Sequence, residues 1–191
     1  MRLNLEMAAT GEMVAIALGT RPAMVTLVPE ARQELTTEGG LDVVAARDGL
    51  TEIVGELREA GIRCSAFVDA DPRQVEAAGA CGFDACEVHT GPYANVFHDN
   101  GRTIGVPKVG AEIQRVREAG AMILAAGMQF NAGHALTYYN VQPIAALPGL
   151  GELHIGHSIV ARAVFVGLRQ AVAEMKALLR EAAARGPGEL S

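Results

Sequence analysis

Four segments of the sequence carry side chains that could move protons or bind an anion. Glu6 and Glu87 each stand inside a short apolar run. Burial raises the pKa of a carboxylate, which suits such a group to proton abstraction. We therefore expect both to turn inward as candidate general bases. The alternative for each is a structural carboxylate paired with a core Lys or Arg.

The other two segments carry histidines beside small residues. His134 ends an Asn-Ala-Gly-His run, and imidazole is suited to proton transfer near neutral pH. A structural histidine is the alternative there. The run Gly156-His157-Ser158 precedes a long helical segment, so a glycine backbone, a hydroxyl and the positive end of a helix could together bind phosphate. The alternative is a packing glycine followed by a histidine cap.

These side chains require elements that bring them together, and the sequence predicts six strands. Short apolar runs alternate with longer helix-type segments, as in repeated βα units. Each run is apolar enough for a strand buried on both faces of a parallel sheet. The predicted strands are Leu3–Met7, Met24–Val28, Cys64–Asp69, Ala85–Thr90, Met122–Met128 and Leu153–His157.

In the segments between the predicted strands, apolar residues recur at the spacing that is typical of helices. Apolar faces are formed by Leu50, Ile53, Val54 and Leu57 and by Ile113, Val116 and Ala119. Gly61 and Gly120 follow these faces, where a helix C-cap favours a positive φ, and a strand is predicted directly after each. A last helical stretch runs from Ser158 to about Arg185, with a break near Gly167.

Two long connections and a tail complete the prediction. Long loops are expected from Pro29 to Gly40 and from Tyr93 to Pro107. Residues 186–191 are expected to form a flexible tail, since they include two glycines and a proline at the chain terminus.

Repeated βα units form either an open sheet or a closed barrel. Polar residues at the carboxyl end of nearly every predicted strand favour a barrel, and no GxGxxG run follows the first strand. A complete (β/α)8 barrel has eight units in about 250 residues. We therefore predict a single domain over residues 1–191 with about six units, as in a barrel truncated at its N-terminus.

Composition excludes several partners. The net charge is −6 without a cluster of Lys and Arg, which argues against nucleic acid. No run approaches the roughly 20 apolar residues of a membrane span, so a cytoplasmic enzyme without membrane contact is predicted. Cys64, Cys81 and Cys86 form no CxxC pair and are expected to be buried, inert thiols. His89 and His98 lack metal-ligand spacing, and no metal is predicted.

Taken together, these motifs resemble the pyridoxine 5′-phosphate synthase family. The resembling segments, in the order in which the family has them, are Leu3–Ala8, Val28–Glu30, Leu35–Val43, Glu87–Ala94, Asn131–His134 and Ile155–Ile159. The likeness extends over nearly the whole chain and is weakest from Asn95 to Val106. Its most specific parts are the Thr-Thr-Glu-Gly-Gly-Leu-Asp-Val and Gly-His-Ser-Ile blocks.

The resemblance implies a TIM barrel and a specific reaction. That family condenses 1-deoxy-D-xylulose 5-phosphate with 3-amino-2-oxopropyl phosphate, giving pyridoxine 5′-phosphate, phosphate and water. It needs no metal or redox cofactor, and its octameric assembly implies a homo-oligomer here. By resemblance, Glu6 is a general base, His134 is the proton donor, and Glu87 stabilises the transition state.

The resemblance also implies substrate contacts. Thr36 corresponds to a contact with the deoxyxylulose phosphate, and Gly156 and His157 correspond to the cradle for the aminooxopropyl phosphate. Ala135 stands where the family has a glycine that contacts substrate through its backbone. Its methyl group could narrow the approach of a phosphate, although a negative φ would make it harmless.

The sequence also departs from the family. The Asn-x-Asp-His and His-x-Arg motifs of the family's first two strands are absent, and Tyr139 replaces a usual histidine. The leading hypothesis is an active synthase whose recorded start codon lies too far downstream, which an in-frame reading upstream of Met1 would test.

Two further hypotheses stay open. One is a degenerate barrel that binds phosphorylated ligands without turnover or serves as an assembly subunit. The other is a different phosphate-binding barrel, such as a sugar-phosphate isomerase. The Thr-Thr-Glu-Gly-Gly block speaks against the latter.

Overall fold

The computed structural model describes residues 2–30 and 39–185, and the chain divides into two compact units. The first unit comprises Met1–His89 and Met122–Phe130, and the second comprises Thr90–Ala121 and Asn131–Ser191. Thr36 and the predicted tail 186–191 lie outside the described residues. The prediction of a single domain stays a prediction.

Strands and helices alternate along the chain. The strands are β1 (Asn4–Ala8), β2 (Met24–Val28), β3 (Arg63–Val68), β4 (Ala85–His89), β5 (Gln129–Gly133) and β6 (Leu150–His154). The helices are α1 (Gly11–Thr20), α2 (Arg47–Glu59), α3 (Pro72–Cys81), α4 (Gly91–Asp99), α5 (Pro107–Ala125), α6 (Val141–Ala145), α7 (His157–Val166) and α8 (Leu168–Arg185).

The described residues thus confirm the α/β class and six strand–helix units. The strands are ordered β1-β2-β3-β4-β5-β6 in one sheet. A complete barrel of eight units stays a prediction. Within the described part of the chain, no helix is both long enough and apolar enough to cross a membrane.

The register of the first four strands sorts their side chains onto two faces. β1 to β4 pair in parallel, and Glu6, Thr26, Ser65 and Ala85 are successive partners across the four strands. Side chains alternate along a strand, so these residues share one face. The opposite face is apolar, and its buried members include Met7, Val25, Leu27, Cys64, Ala66, Val68, Cys86 and Val88. Helices α1, α2 and α3 pack against β1 and β3.

Local signals explain where several helices begin and end. Asp71 caps α3 by accepting a hydrogen bond from the backbone N–H of Arg73 at 2.9 Å, and Pro72 takes the first helical position. Gly61 follows α2 with φ 78°, which confirms the predicted glycine. Gly167, with φ 81°, separates α7 from α8 at the predicted break.

The predicted strand Met122–Met128 is wrong, and so is the helix end at Gly120. Helix α5 continues through Gly120 to Ala125, and Gly127 adopts the positive φ of 78° before β5 starts at Gln129. A short apolar run does not by itself separate a strand from a buried helical turn. Here the run is rich in Ala, Leu and Met, which favour helix.

Two other boundaries differ from the prediction. The sixth strand is Leu150–His154 and not Leu153–His157, so His157 is the first residue of α7. A long loop was predicted from Tyr93 to Pro107, yet α4 occupies Gly91–Asp99. Pro92 suits the start of a helix, and Tyr93 and Phe97 are buried one turn apart.

The three cysteines are free and buried, as predicted. Burial raises the pKa of the Cys64 thiol to about 12, and the nearby Asp84 carboxylate adds to this effect. Burial likewise raises the pKa of the Cys86 thiol to about 12. Both thiols are therefore protonated at neutral pH, and the thiolate is the reactive form.

We expect Cys64 and Cys86 in the native protein to resist alkylation. A thiol with a pKa near 12 is ionised to only about one part in 10⁴ at pH 8, and burial also blocks access. Timed iodoacetamide labelling followed by peptide mass spectrometry should show reaction only in denaturant. Ala161→Cys, at an exposed position of α7, provides the labelled control. Rapid native labelling of Cys64 or Cys86 would contradict the expectation.

Gly40 approaches the backbone of β3 too closely for any side chain. A Cβ at this position would lie 2.3 Å from the backbone nitrogen of Asp69. The next residue, Leu41, donates its N–H to the carbonyl of Phe67 at 2.7 Å. The chain entering from Gly39 is thus held against the carboxyl end of β3.

Gly40→Ala should lower the free energy of unfolding by about 1–3 kcal/mol, because the added methyl must displace backbone atoms. Gly39→Ala is a matched control, since its Cβ would meet only Asp69 Oδ2 at an ordinary 3.5 Å. That control should change stability by less than about 0.5 kcal/mol. Urea denaturation of both variants measures the difference, and equal effects would refute the steric explanation.

Candidate active site

The first unit brings two predicted carboxylates together. Glu6 projects from β1 and Glu87 from β4, and carboxylate oxygens of the two lie within 4.8 Å of each other. Glu87 is buried, with 4% of its surface exposed. The inward direction predicted for both from strand alternation is therefore correct for Glu87, and Glu6 turns to the same side.

The predicted burial of Glu6 is wrong, because Glu6 is exposed to solvent. The reason lies in its strand: within the described sheet, β1 pairs with β2 alone, whereas β4 lies between two strands. An edge strand has neighbouring side chains on one side only. The two carboxylates thus lie near each other in different surroundings, which is how paired carboxylates take different roles in acid–base chemistry.

A second acid–base pair lies at the carboxyl ends of β3 and β4. His89 Nδ1 and Asp69 Oδ1 are 2.9 Å apart, and the buried imidazole is 5.1 Å from the ring of Phe67, centroid to centroid. A carboxylate on one ring nitrogen fixes the tautomer of a histidine. Neither residue was among the predicted site residues, although both end adjacent strands and so stand where a parallel sheet gathers its chemistry.

Small hydroxyls line the same face of the sheet as the carboxylates. Thr26 Oγ1 donates to Asn4 Oδ1 at 3.1 Å. Ser65 is fully buried, and within the described residues its Oγ has no hydrogen-bond partner. A buried hydroxyl in that state is one that a bound molecule could satisfy. Sequence reasoning missed both residues, since Thr and Ser within a strand give no signal by type alone.

In the second unit, His134 and Ala135 form a tight left-handed turn after β5. Their φ values are 74° and 58°, so two consecutive residues with side chains occupy the region that favours glycine. Such a residue costs roughly 1–2 kcal/mol, and strained residues cluster at functional sites. Ala135 therefore lacks the negative φ at which its methyl group was expected to be harmless.

The start of α7 leaves backbone donors open. Gly156 occupies the N-cap, and no side chain among the described residues caps it. A Cβ at Gly156 would meet no atom within 4 Å, so the space beside this backbone is open. The alternative of a packing glycine is wrong, and His157 is an exposed first helical residue and not the cap.

The Ser158 hydroxyl, which was expected to help bind an anion at this site, makes a hydrogen bond within the protein instead. Ser158 Oγ donates to the carbonyl of Leu136 at 2.9 Å and so ties α7 to the loop after His134. The strand before α7 ends at His154, whose Nε2 lies 3.5 Å from Glu152 Oε2. His154 was not predicted as a site residue, because the strand was placed three positions too far along the chain.

Tyr139 replaces the usual histidine of the family on the same loop. Its side chain is 73% exposed, and the guanidinium carbon of Arg102 lies 5.8 Å from the centre of its ring. This distance is within the range of a cation–π contact. Tyr139 therefore contacts the loop that follows α4.

An α/β sheet with acidic and imidazole side chains at the carboxyl ends of its strands defines an enzyme domain of the repeated βα class. The sequence profile described as "Pyridoxal phosphate biosynthesis protein PdxJ" matches residues 1–181. The chain belongs to this family, whose curated relatives are pyridoxine 5′-phosphate synthases.

Relatives are similar over almost the entire chain. The pyridoxine 5′-phosphate synthase of Dechloromonas aromatica (strain RCB) is 61% identical over 185 residues, which are 97% of this chain and 74% of that protein. That of Azoarcus sp. (strain BH72) is 60% identical, covering 96% and 74%. That of Parasynechococcus marenigrum (strain WH8102) is 54% identical, covering 94% and 69%.

Solved structures show likeness of fold alone. A GMP reductase from Trypanosoma brucei aligns with a TM-score of 0.54 at 14% identity, over 95% of this chain and 44% of that one. The Amycolatopsis orientalis BexX/CysO complex aligns with a TM-score of 0.54 at 21% identity, over 93% and 60%. At these identities, shared function does not follow from shared fold.

We expect Ala135→Gly to stabilise the protein by about 0.5–1 kcal/mol. Glycine adopts a positive φ without steric cost, and this gain exceeds the greater freedom of glycine in the unfolded chain. Chemical denaturation measures the change. The matched control is Ala161→Gly in the exposed part of α7, which should destabilise by about 1 kcal/mol. Destabilisation by both substitutions would show that the left-handed turn is not strained.

Proposed function

We propose that this chain is an active pyridoxine 5′-phosphate synthase, which condenses 1-deoxy-D-xylulose 5-phosphate with 3-amino-2-oxopropyl phosphate. The products are pyridoxine 5′-phosphate, phosphate and water. Membership of the family supports the product, and the Glu6–Glu87 carboxylate pair is the observation that carries the chemistry.

The carboxylate pair suits the proton transfers of the reaction. Imine formation between amine and ketone, enolisation and elimination each move protons between carbon, nitrogen and oxygen. We assign proton abstraction to Glu6, whose exposed carboxylate can meet an incoming substrate. We assign transition-state stabilisation to Glu87, because a buried carboxylate acts on developing positive charge with little screening by water.

The second unit supplies the proton donor and a phosphate contact in this proposal. His134 gives a proton to one of the two substrate oxygens that leave as water. The backbone N–H groups at the start of α7, from Gly156 and His157 onward, receive the phosphate of the amino ketone. Ala135 contacts that substrate through its backbone, and Thr36, outside the described residues, contacts the deoxyxylulose phosphate.

Assembly and location remain predictions. The homo-octamer is carried by the resemblance alone. Exposed apolar residues on α7 and at the start of α8 favour contact of this region with another chain but set no number of copies; they are Val160, Val164, Phe165 and Leu168. A cytoplasmic location and the lack of metal and redox cofactors are likewise carried by resemblance and composition.

A second candidate function is binding of phosphorylated ligands without turnover. One observation favours it. The exposure of Glu6 leaves this carboxylate in water, where it is a weaker catalyst than in an enclosed site. Such a protein would retain affinity for both substrates and release no phosphate.

We expect the purified chain to form pyridoxine 5′-phosphate and phosphate in equal amounts from the two substrates. Glu87→Gln should lower kcat by about 10²–10⁴-fold, because the isosteric amide carries no charge. Fluorescence of the product and a phosphate assay measure the two products in parallel. Glu52→Gln, at an exposed position of α2, is the matched control and should leave kcat unchanged.

The outcomes separate the two candidates. Substrate binding by calorimetry with no product from the unaltered chain would support the binding protein and exclude the synthase. Product formation with a normal kcat in Glu87→Gln would support a synthase but refute the role assigned to this carboxylate.

A further inference from the structure

The left-handed turn at His134–Ala135 needs an external cause, because neither residue prefers that conformation. Non-glycine residues persist in strained regions only where their surroundings fix them. The backbone angles at the His134 Cα set the direction of its Cα–Cβ bond. Whatever fixes those angles therefore fixes the point from which the imidazole projects.

Thr90 holds the peptide groups on both sides of His134. Its hydroxyl oxygen lies 2.7 Å from the carbonyl oxygen of Gly133 and 2.6 Å from that of His134, so its single hydrogen is shared between them. The backbone N–H of Thr90 donates to Gly133 as well, at 2.8 Å. The two carbonyls belong to the peptide planes that flank the His134 Cα. Holding both planes sets φ and ψ of that residue.

Asn140 holds the far side of the same turn. Its Nδ2 donates to the carbonyl of Ala135 at 3.2 Å, and its Oδ1 accepts from the backbone N–H of Thr137 at 2.6 Å. Asn140 is itself fixed, because the buried hydroxyl of Tyr93 donates to its carbonyl at 2.7 Å. Thr90 and Asn140 are both buried, so water does not compete strongly for these bonds.

We propose that Thr90 and Asn140 are positioning residues of the condensation, which hold the strained turn that presents the His134 imidazole. This inference rests on the proposed function, in which His134 is the proton donor. Neither residue itself exchanges a proton with substrate. Loss of the Thr90 hydroxyl frees the carbonyl of His134, while the carbonyl of Gly133 keeps its bond from the Thr90 backbone N–H. The peptide plane after His134 can then rotate, so that the turn relaxes toward a negative φ and carries the imidazole away.

The test compares Thr90→Val, which keeps the shape of the side chain but lacks the hydroxyl, with Thr90→Ser, which keeps the hydroxyl. Thr51→Val is the matched control, because the Thr51 hydroxyl also donates to a backbone carbonyl, that of Arg47 at 2.8 Å on exposed α2. The first readout is the NMR spectrum of ¹⁵N-histidine protein, with the His134 signals assigned through His134→Gln. It requires no turnover.

We expect Thr90→Val to shift or broaden the His134 signals, while Thr90→Ser and Thr51→Val keep them. In the condensation assay Thr90→Val should lower kcat by about 10²-fold, as expected for a misplaced catalytic group, with KM within about threefold. Thr90→Ser should restore most of kcat. Should Thr90→Val not fold, Asn140→Ser applies the same test from the other side of the turn.

Unchanged His134 signals in folded Thr90→Val would overturn the inference. A fall in melting temperature and kcat shared equally by Thr90→Val and Thr90→Ser would also overturn it, since that pattern belongs to a purely structural residue. If the unaltered chain forms no product, the proposed function fails, and the NMR comparison still decides whether Thr90 places the imidazole.

Discussion

The pleat of a parallel sheet in fixed register is the constraint on which the first unit depends. Side chains alternate between the two faces of each strand, so each strand has a polar and an apolar face. The register places polar residues beside polar residues, and apolar residues beside apolar ones, on neighbouring strands. One face thus collects Glu6, Thr26, Ser65 and Glu87, while the other collects the apolar residues of the core. A slip of one residue in β1 or β4 would move a carboxylate into the core, where an unpaired charge is far more costly than a lost apolar contact. The burial of the core and the polarity of the site therefore enforce the same register.

The second unit depends on a different kind of constraint, since a loop has no ladder to hold it. Its turn at His134 departs from the conformation that its own residues prefer, and buried polar side chains from other elements compensate. These bonds are strong because they are shielded from water, and each joins a buried side chain to a backbone carbonyl of the turn. The bonds to these carbonyls thus offset the cost of the strained conformation at the histidine.

The sequence predicts the features that follow from the local pattern of residue types. It does not predict the features that depend on which residues become neighbours in the folded chain. The α/β class, the strands at Met24–Val28 and Ala85–His89 and the break at Gly167 follow from periodicity and glycine chemistry, and the structure has them. The prediction of a strand at Met122–Met128 failed because a short, continuous apolar run looks the same in a buried helical turn as in a strand. The exposure of Glu6 and the positive φ of Ala135 depend on which strand lies at the edge and on bonds from Thr90 and Asn140. The Thr90 bond joins residues 44 positions apart in the sequence, and no local pattern predicts a contact at that separation.

Ser158 shows how a local sequence pattern and a contact with another part of the chain act at one residue. Its type and position predict a phosphate ligand, yet its hydroxyl donates to the carbonyl of Leu136, the residue directly after the strained turn. The start of α7 is therefore fixed to the same loop that carries His134. In the proposed function, anion binding at this helix start is then left to backbone N–H groups beside an open glycine. Backbone donors do not depend on a side-chain rotamer, so they can be aligned once by the helix and remain so. The Ser158 side chain, which the sequence predicts as a ligand, instead aligns the loop after His134. Gly156, for which a packing role was the alternative, leaves open space beside the backbone.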